Sequence, residues 1–277
     1  MTDTPPPCAS LPRHARRPIN RCNLPPAIVG GLTYQQHPVP LLIDGVRELY
    51  REIFERLEKL ENAVVRSRHF MDFMSVQFQL ASPGAIDVRY TSRLDRSRAT
   101  YLKMLRGWFF NPDAQEGAVL KGWAESRFGL LPRFHHAPIR SPHDSSYRTF
   151  EQEWARGLYN TNALETQLDL LFSYCQFELS RKFPNHTHLT LYRGCNRLDE
   201  YESLSMQGRT GPPILLLNNL NSFSKSMERA CEFGDYMIQV EVPIYKIAFY
   251  NQLLPGMFVG EEEYVVLGGL YPITLMT

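Results

Sequence analysis

The pattern of the chain changes once, near Pro184. Upstream of it, apolar residues recur with the period of a helix; downstream they alternate with polar ones, as in strands. In "IDGVRELYREIFERLEKLENAVVRS" the apolar residues Val46, Leu49, Ile53, Leu57, Leu60 and Val64 have helical spacing. Asp44 is the expected N-cap, and Glu52–Arg56 and Glu55–Lys59 are i,i+4 pairs in the favourable order. A second helical stretch, "YRTFEQEWARGLYNTNALETQLDLLFSYCQFELSRKF", follows a loop rich in turn signals, "LLPRFHHAPIRSPHDSS". After Pro184, "HTHLTLYRG", "DYMIQVEVPIYKIAFY" and "EEEYVVLGGLYPITLM" read as strands. "PPILLLNNLNSFSKSMERACEFG" reads as a short apolar run, a polar turn and a short helix. Helices first and strands later, with no alternating βαβ units, predict an α+β fold.

A chain of 277 residues with 43% hydrophobic content can bury a sizeable core. The expected division is a disordered tail over 1–35, a helical half over 36–183 and a β-rich half over 184–277 of the same domain. The tail is expected because prolines break up its basic cluster, Arg13, Arg16, Arg17 and Arg21. It lacks the apolar core of a secretory signal. The formal net charge of +1 gives no basic excess for nucleic-acid binding. No apolar run of about 18 residues is present, so no membrane span is expected. Five scattered cysteines without C-x-x-C predict free thiols and a reducing cytoplasm. His186 and His188 would share a strand face, but no further ligand supports them, and no metal is expected. Dinucleotide and P-loop glycine motifs are absent.

Three short constellations carry chemistry. In "LTLYRGCN", Leu189, Leu191 and Arg193 share a strand face, so the arginine ends a core-facing row and needs an anionic partner, from the protein or from a ligand. Gly194 allows another backbone or a flat ligand to come close. In "NSFSKSMERA", Ser222, Ser224 and Ser226 alternate, and Ser226 suits a helix N-cap. In "EEEYVV", strand geometry would put Glu261 and Glu263 on one face, roughly 6.5–7 Å apart, with Glu262 on the other. Read singly, a structural ion pair, an ordinary cap and a solvated strand end account for most of these features.

Their order is more specific. Tyr192-Arg193-Gly194, then Phe223-Ser224-Lys225-Ser226, then Glu261-Glu262-Glu263-Tyr264-Val265-Val266 resembles the arginine–serine–glutamate class of mono-ADP-ribosyltransferases. The stretch "VEVPIYKIAFYNQLLPGMF" is similar to what precedes the acids in that class. Chain length and the segment "HPVPLLIDGV" resemble the dinitrogenase reductase ADP-ribosyltransferases of nitrogen-fixing bacteria. The departure is Lys225, where the class more often has a small residue such as threonine.

The resemblance implies an ADP-ribosyltransferase-like fold whose β-rich half is catalytic around an NAD cleft, with NAD as a substrate. It implies that Glu263 stabilises the ribosyl cation, that Ser224 fixes the Glu263 rotamer, and that Glu261 orients and deprotonates an acceptor arginine. Arg193, Gly194, Ser224 and Ser226 would bind the dinucleotide, Arg193 through the phosphates. The implied partners are the nitrogenase iron protein as substrate and a PII-type signalling protein as regulator. Two alternatives stay open at this level. One is transfer to another protein target or to water; the other is a non-catalytic nucleotide-sensing or protein-binding module.

Overall fold

The long helices lie before Pro184 and the large sheet after it. The computed structural model describes residues 10–80, 99–158, 163–198, 201–204, 212–258 and 262–276. Helices α1 (Pro26–Val29), α2 (Leu32–Gln36), α3 (Val46–Leu49), α4 (Arg51–Glu58) and α5 (Ala63–Gln77) come first. They lead to α6 (Tyr101–Phe110), α7 (Gln115–Phe128), a small hairpin of β1 (Phe134–His135) and β2 (Ala137–Pro138), α8 (Ser145–Leu158) and α9 (Leu164–Lys182). The remainder is β3 (His188–Cys195), β4 (Glu202–Ser203), β5 (Ile214–Ser224), α10 (Met227–Cys231), β6 (Tyr236–Pro243), β7 (Ile247–Tyr250), β8 (Glu263–Pro272) and β9 (Thr274–Met276). The fold is α+β, and both halves contribute to one hydrophobic cluster.

Helix α9 is the pillar of that cluster. It is buried on nearly every side, so each of its polar residues needs a partner. Asp169 accepts from Trp123 Nε1 at 2.7 Å and pairs with Arg127 at 2.8 Å. Gln176 donates to the Ile247 carbonyl at 2.7 Å and so holds the helix to β7. Glu178 receives two bonds of 2.7 Å from Arg66 on α5.

The large sheet has the order β7-β8-β5-β3-β6-β9, with β4 pairing β5 beside β3. Every pair in it is antiparallel. The β3–β6 ladder has eight registered pairs, from His188↔Pro243 to Cys195↔Tyr236. Between β3 and β5 there is one, Tyr192↔Ser224. The sheet is therefore two groups of strands, β7-β8-β5-β4 and β3-β6-β9, joined at a single seam.

Three expectations are corrected. Residues 10–35 are packed rather than disordered, with Leu11, Ala15, Val29 and Tyr34 buried. Residues 1–9 lie outside the described residues. The tail's arginines find partners: Arg17 pairs with Glu125, and Arg16 donates to the Leu11 carbonyl. Its prolines serve structure too, Pro26 standing at the first position of α1. The helix expected from Asp44 is divided. Gly45, at φ 77°, caps α3; Tyr50, at φ −112°, separates α3 from α4; and Asn62 caps α5 through Val64 and Val65. This leaves Leu49 exposed, while Ile53 and Leu57 face the core. The apolar run expected after Pro213 extends as strand β5 through Asn218–Asn221, with a bulge between Leu217 and Leu220, so the polar turn before α10 comes only at Ser224–Ser226. The asparagines are tolerated there because they bond main chain. Asn219 donates to the Lys121 and Leu130 carbonyls, Asn218 to that of Phe134, and Asn221 to that of Asn218.

Lys246 is fully buried; it donates to the Gly268 carbonyl at 2.9 Å and lies 4.5 Å from the Tyr271 ring centroid. Burial pushes its pKa down to about 7. Below that pH both folded and unfolded chains hold the proton. From there up to the usual lysine value of about 10.4, the unfolded chain holds more, so stability rises with pH. Thermal melts of the wild type and Lys246→Met should therefore diverge in favour of the wild type between pH 7 and 9. A difference independent of pH would refute a buried, easily deprotonated amine.

Candidate active site

The three sequence constellations meet at the seam of the sheet. Tyr192 on β3 is opposite Ser224 on β5, and Ser224 is opposite Glu263 on β8. Residues far apart in sequence thus form one row across three strands. Opposed residues on antiparallel strands share a face, so Ser224 and Glu263 lie side by side, with Ser222 and Val265 next along.

Arg193 follows Tyr192 and reaches β5. Its NH1 group donates to the Ser222 carbonyl at 2.7 Å. Burial works against its charge, but Tyr201 and Cys195 beside it outweigh burial and raise its pKa. Its Nε–H is buried and has no partner among the described residues. A guanidinium with an unused donor suits an anionic ligand oxygen.

Gly194 is required by close packing. A Cβ there would stand 2.2 Å from the Ala230 carbonyl oxygen and 2.9 Å from the Gly234 nitrogen. The close approach foreseen for this glycine is thus made by α10 and the chain leaving it. Ser226 caps α10, its hydroxyl accepting from Arg229 N–H at 3.3 Å. The Ser224 hydroxyl oxygen accepts from Ser226 N–H at 3.0 Å, so the two serines brace the turn between β5 and α10.

Glu263 opens strand β8 and is half-buried. Desolvation raises its pKa, while a hydrogen bond from the Ser222 side chain and the Arg193 charge pull it back down. The net shift is upward, so the carboxyl sits in an environment that strengthens electrostatic interactions, with Ser222 and Arg193 offsetting part of the cost of ionising it. The acid triplet is not one continuous strand. Glu262 has φ 52°, in the left-handed region, and its carbonyl accepts from Lys225 N–H at 3.3 Å. Strand β8 therefore begins at Glu263, after a left-handed turn at Glu262. Glu261 itself lies outside the described residues.

Two side chains at the seam were not singled out by sequence reasoning. Trp108 on α6 is buried and donates from Nε1 to the Ser222 hydroxyl at 2.9 Å. The serine alternation included Ser222 but did not mark it as the one touching Glu263, and nothing local connects either residue to Trp108.

The chain matches the family model "Dinitrogenase reductase ADP-ribosyltransferase" over residues 19–275. The chain belongs to the dinitrogenase reductase ADP-ribosyltransferase family. A relative from Rhodospirillum rubrum, NAD(+)–dinitrogen-reductase ADP-D-ribosyltransferase, is 36% identical over 256 residues, covering 91% of this chain and 92% of the relative. No solved structure matches the chain. The family match takes in the helical half as well as the seam, so the likeness extends well beyond the three motifs.

Among the described residues of this family member, one group could offer three atoms to a metal: His135, His136 and Glu153, with ligand atoms within 4.8 Å of one another. The Lys121 ammonium, paired with Asp113 at 2.7 Å, lies 3.2 Å from His135 Nδ1. His135 Nε2 lies 3.0 Å from a Glu153 oxygen, so both ring nitrogens already have partners within the protein. His188 contacts the Gln35 carbonyl at 2.7 Å and Thr187 at 2.9 Å, anchoring β3 to the N-terminal segment. No described helix is long and apolar enough to cross a membrane.

Proposed function

We propose that the chain transfers ADP-ribose from NAD to an arginine of dinitrogenase reductase, the nitrogenase iron protein, and thereby inactivates it. The observation that carries this is the convergence of Arg193, Ser222, Ser224 and Glu263 at the seam of a chain that belongs to this family. Loss of nicotinamide breaks an N-glycosidic bond through a cation-like ribosyl centre. A half-buried carboxylate such as Glu263 stabilises that positive charge, because a partly dry site weakens the attraction less than water does. Arg193 would hold the phosphates through its Nε–H, which has no partner among the described residues, while NH1 bonds the Ser222 carbonyl. The turn braced by Ser224 and Ser226 would border the nicotinamide half, beside Gly194.

The acceptor guanidinium is a weak nucleophile while charged. Glu261, two residues before the ribose-facing acid, would orient it and take its proton as the new C–N bond forms. Cytoplasmic chemistry fits four described cysteines that are free thiols. The resemblance also implies a PII-type signalling protein as regulator.

The test separates transfer from hydrolysis. Glu261→Gln should lose transfer to the reductase at least about tenfold more than it loses NAD hydrolysis, in line with removal of a general base. Equal losses in the two reactions would rule out the base role.

A further inference from the structure

We infer that Ser222, held by Trp108, is the residue that orients the Glu263 carboxylate, a positioning role that the motif resemblance gives to Ser224. The inference rests on Glu263 being the acid that faces the ribose.

Directionality carries it. An indole N–H can only donate, and a hydroxyl has a single hydrogen. Trp108 Nε1 donates to Ser222 Oγ at 2.9 Å, which occupies the oxygen and leaves the hydroxyl hydrogen to be given elsewhere. Ser222 and Glu263 lie on the same face of the β5–β8 ladder, and the Ser222 side chain makes its hydrogen bond to Glu263. The order of donors is therefore indole to hydroxyl to carboxylate. Ser224 stands directly opposite Glu263, but its hydroxyl belongs to the turn into α10, where it accepts from Ser226 N–H at 3.0 Å, and it is Ser222 rather than Ser224 whose side chain bonds the carboxyl.

The support behind Ser222 is rigid. Trp108 is 2% exposed, on a helix whose residues Tyr101, Met104 and Leu105 are also in the core. Arg193 fixes the same residue from its other side by donating to the Ser222 carbonyl at 2.7 Å. Ser222 thus connects the phosphate-binding arginine, the ribose-facing acid and helix α6, and it lies outside the Ser-x-Ser pair that the motif marks.

The experiment measures nicotinamide release from NAD against pH for the full chain and four variants. Removing the Ser222 hydroxyl takes away a bond that favours ionised Glu263. Ser222→Ala should therefore move the acid limb of kcat to higher pH and lower kcat by about tenfold, with KM for NAD changed less than about twofold. Ser222→Thr, which keeps the hydroxyl, should restore the limb. Trp108→Phe should move it in the same direction as Ser222→Ala, by less. Ser224→Ala should leave the limb where it is, whatever it does to rate or KM. An unmoved limb in Ser222→Ala, or a limb moved by Ser224→Ala, overturns the assignment while leaving Glu263 in its role. If Ser222→Ala folds poorly, Ser222→Thr and Trp108→Phe decide: an unmoved limb in Trp108→Phe counts against the inference. Failure of the underlying reading shows separately, as full activity in Glu263→Gln.

Discussion

Glu263→Gln is expected to slow nicotinamide release by about a hundredfold or more, the usual cost of removing a key electrostatic group from a reacting centre. The substitution keeps the size and hydrogen-bonding shape of the side chain and removes its charge. Since the carboxyl lies half-buried with Ser222 and Arg193 acting on it, the amide should fit the same place, and melting temperature should change little. The loss should fall on kcat, because the charge matters most when the ribosyl centre turns positive. A variant with normal kcat would remove Glu263 from the chemistry.

The largest effect on stability is expected far from the seam. Arg66 and Glu178 are both nearly buried and form two bonds of 2.7 Å, while Arg66 NH1 also donates to the Leu60 and Glu61 carbonyls. Glu178→Ala would leave a buried guanidinium without its counter-charge, at a cost of about 3–5 kcal/mol. Calorimetry should then show a fall in melting temperature of about 10 °C. Replacing both partners together, Arg66→Met with Glu178→Leu, should recover most of the loss, because no orphan charge remains. A double variant as unstable as the single one would mean that the pair contributes through packing.

How much of this was legible in the sequence depends on range. The strand motifs were legible because alternation is local: Tyr192-Arg193-Gly194, Ser224-x-Ser226 and the acid before Tyr264 could each be placed at a strand end, and β5 and β8 bring them into one row. Helical spacing located the α4 face that buries Ile53 and Leu57. It did not show the break at Tyr50, since the backbone turn there interrupts the face without changing composition. The full length of β5 was not legible, because the partners that let its asparagines be buried, the Lys121, Leu130 and Phe134 carbonyls, are about a hundred residues away. The N-terminal segment read as solvated because arginines and prolines hid how few apolar residues are needed to pin it, among them Leu11, Val29 and Tyr34. At the seam, the bond from Trp108 to Ser222 joins residues on opposite sides of the helix–strand boundary, so no local pattern signals it. The left-handed backbone at Glu262, just before β8, likewise carries no signal in composition.

The most direct test of the central claim combines the purified protein with NAD labelled in its ADP-ribose part and with dinitrogenase reductase, and follows where the label goes. The account predicts label on an arginine of the reductase, in step with nicotinamide release and loss of reductase activity. Free labelled ADP-ribose beside an unmodified reductase would contradict it.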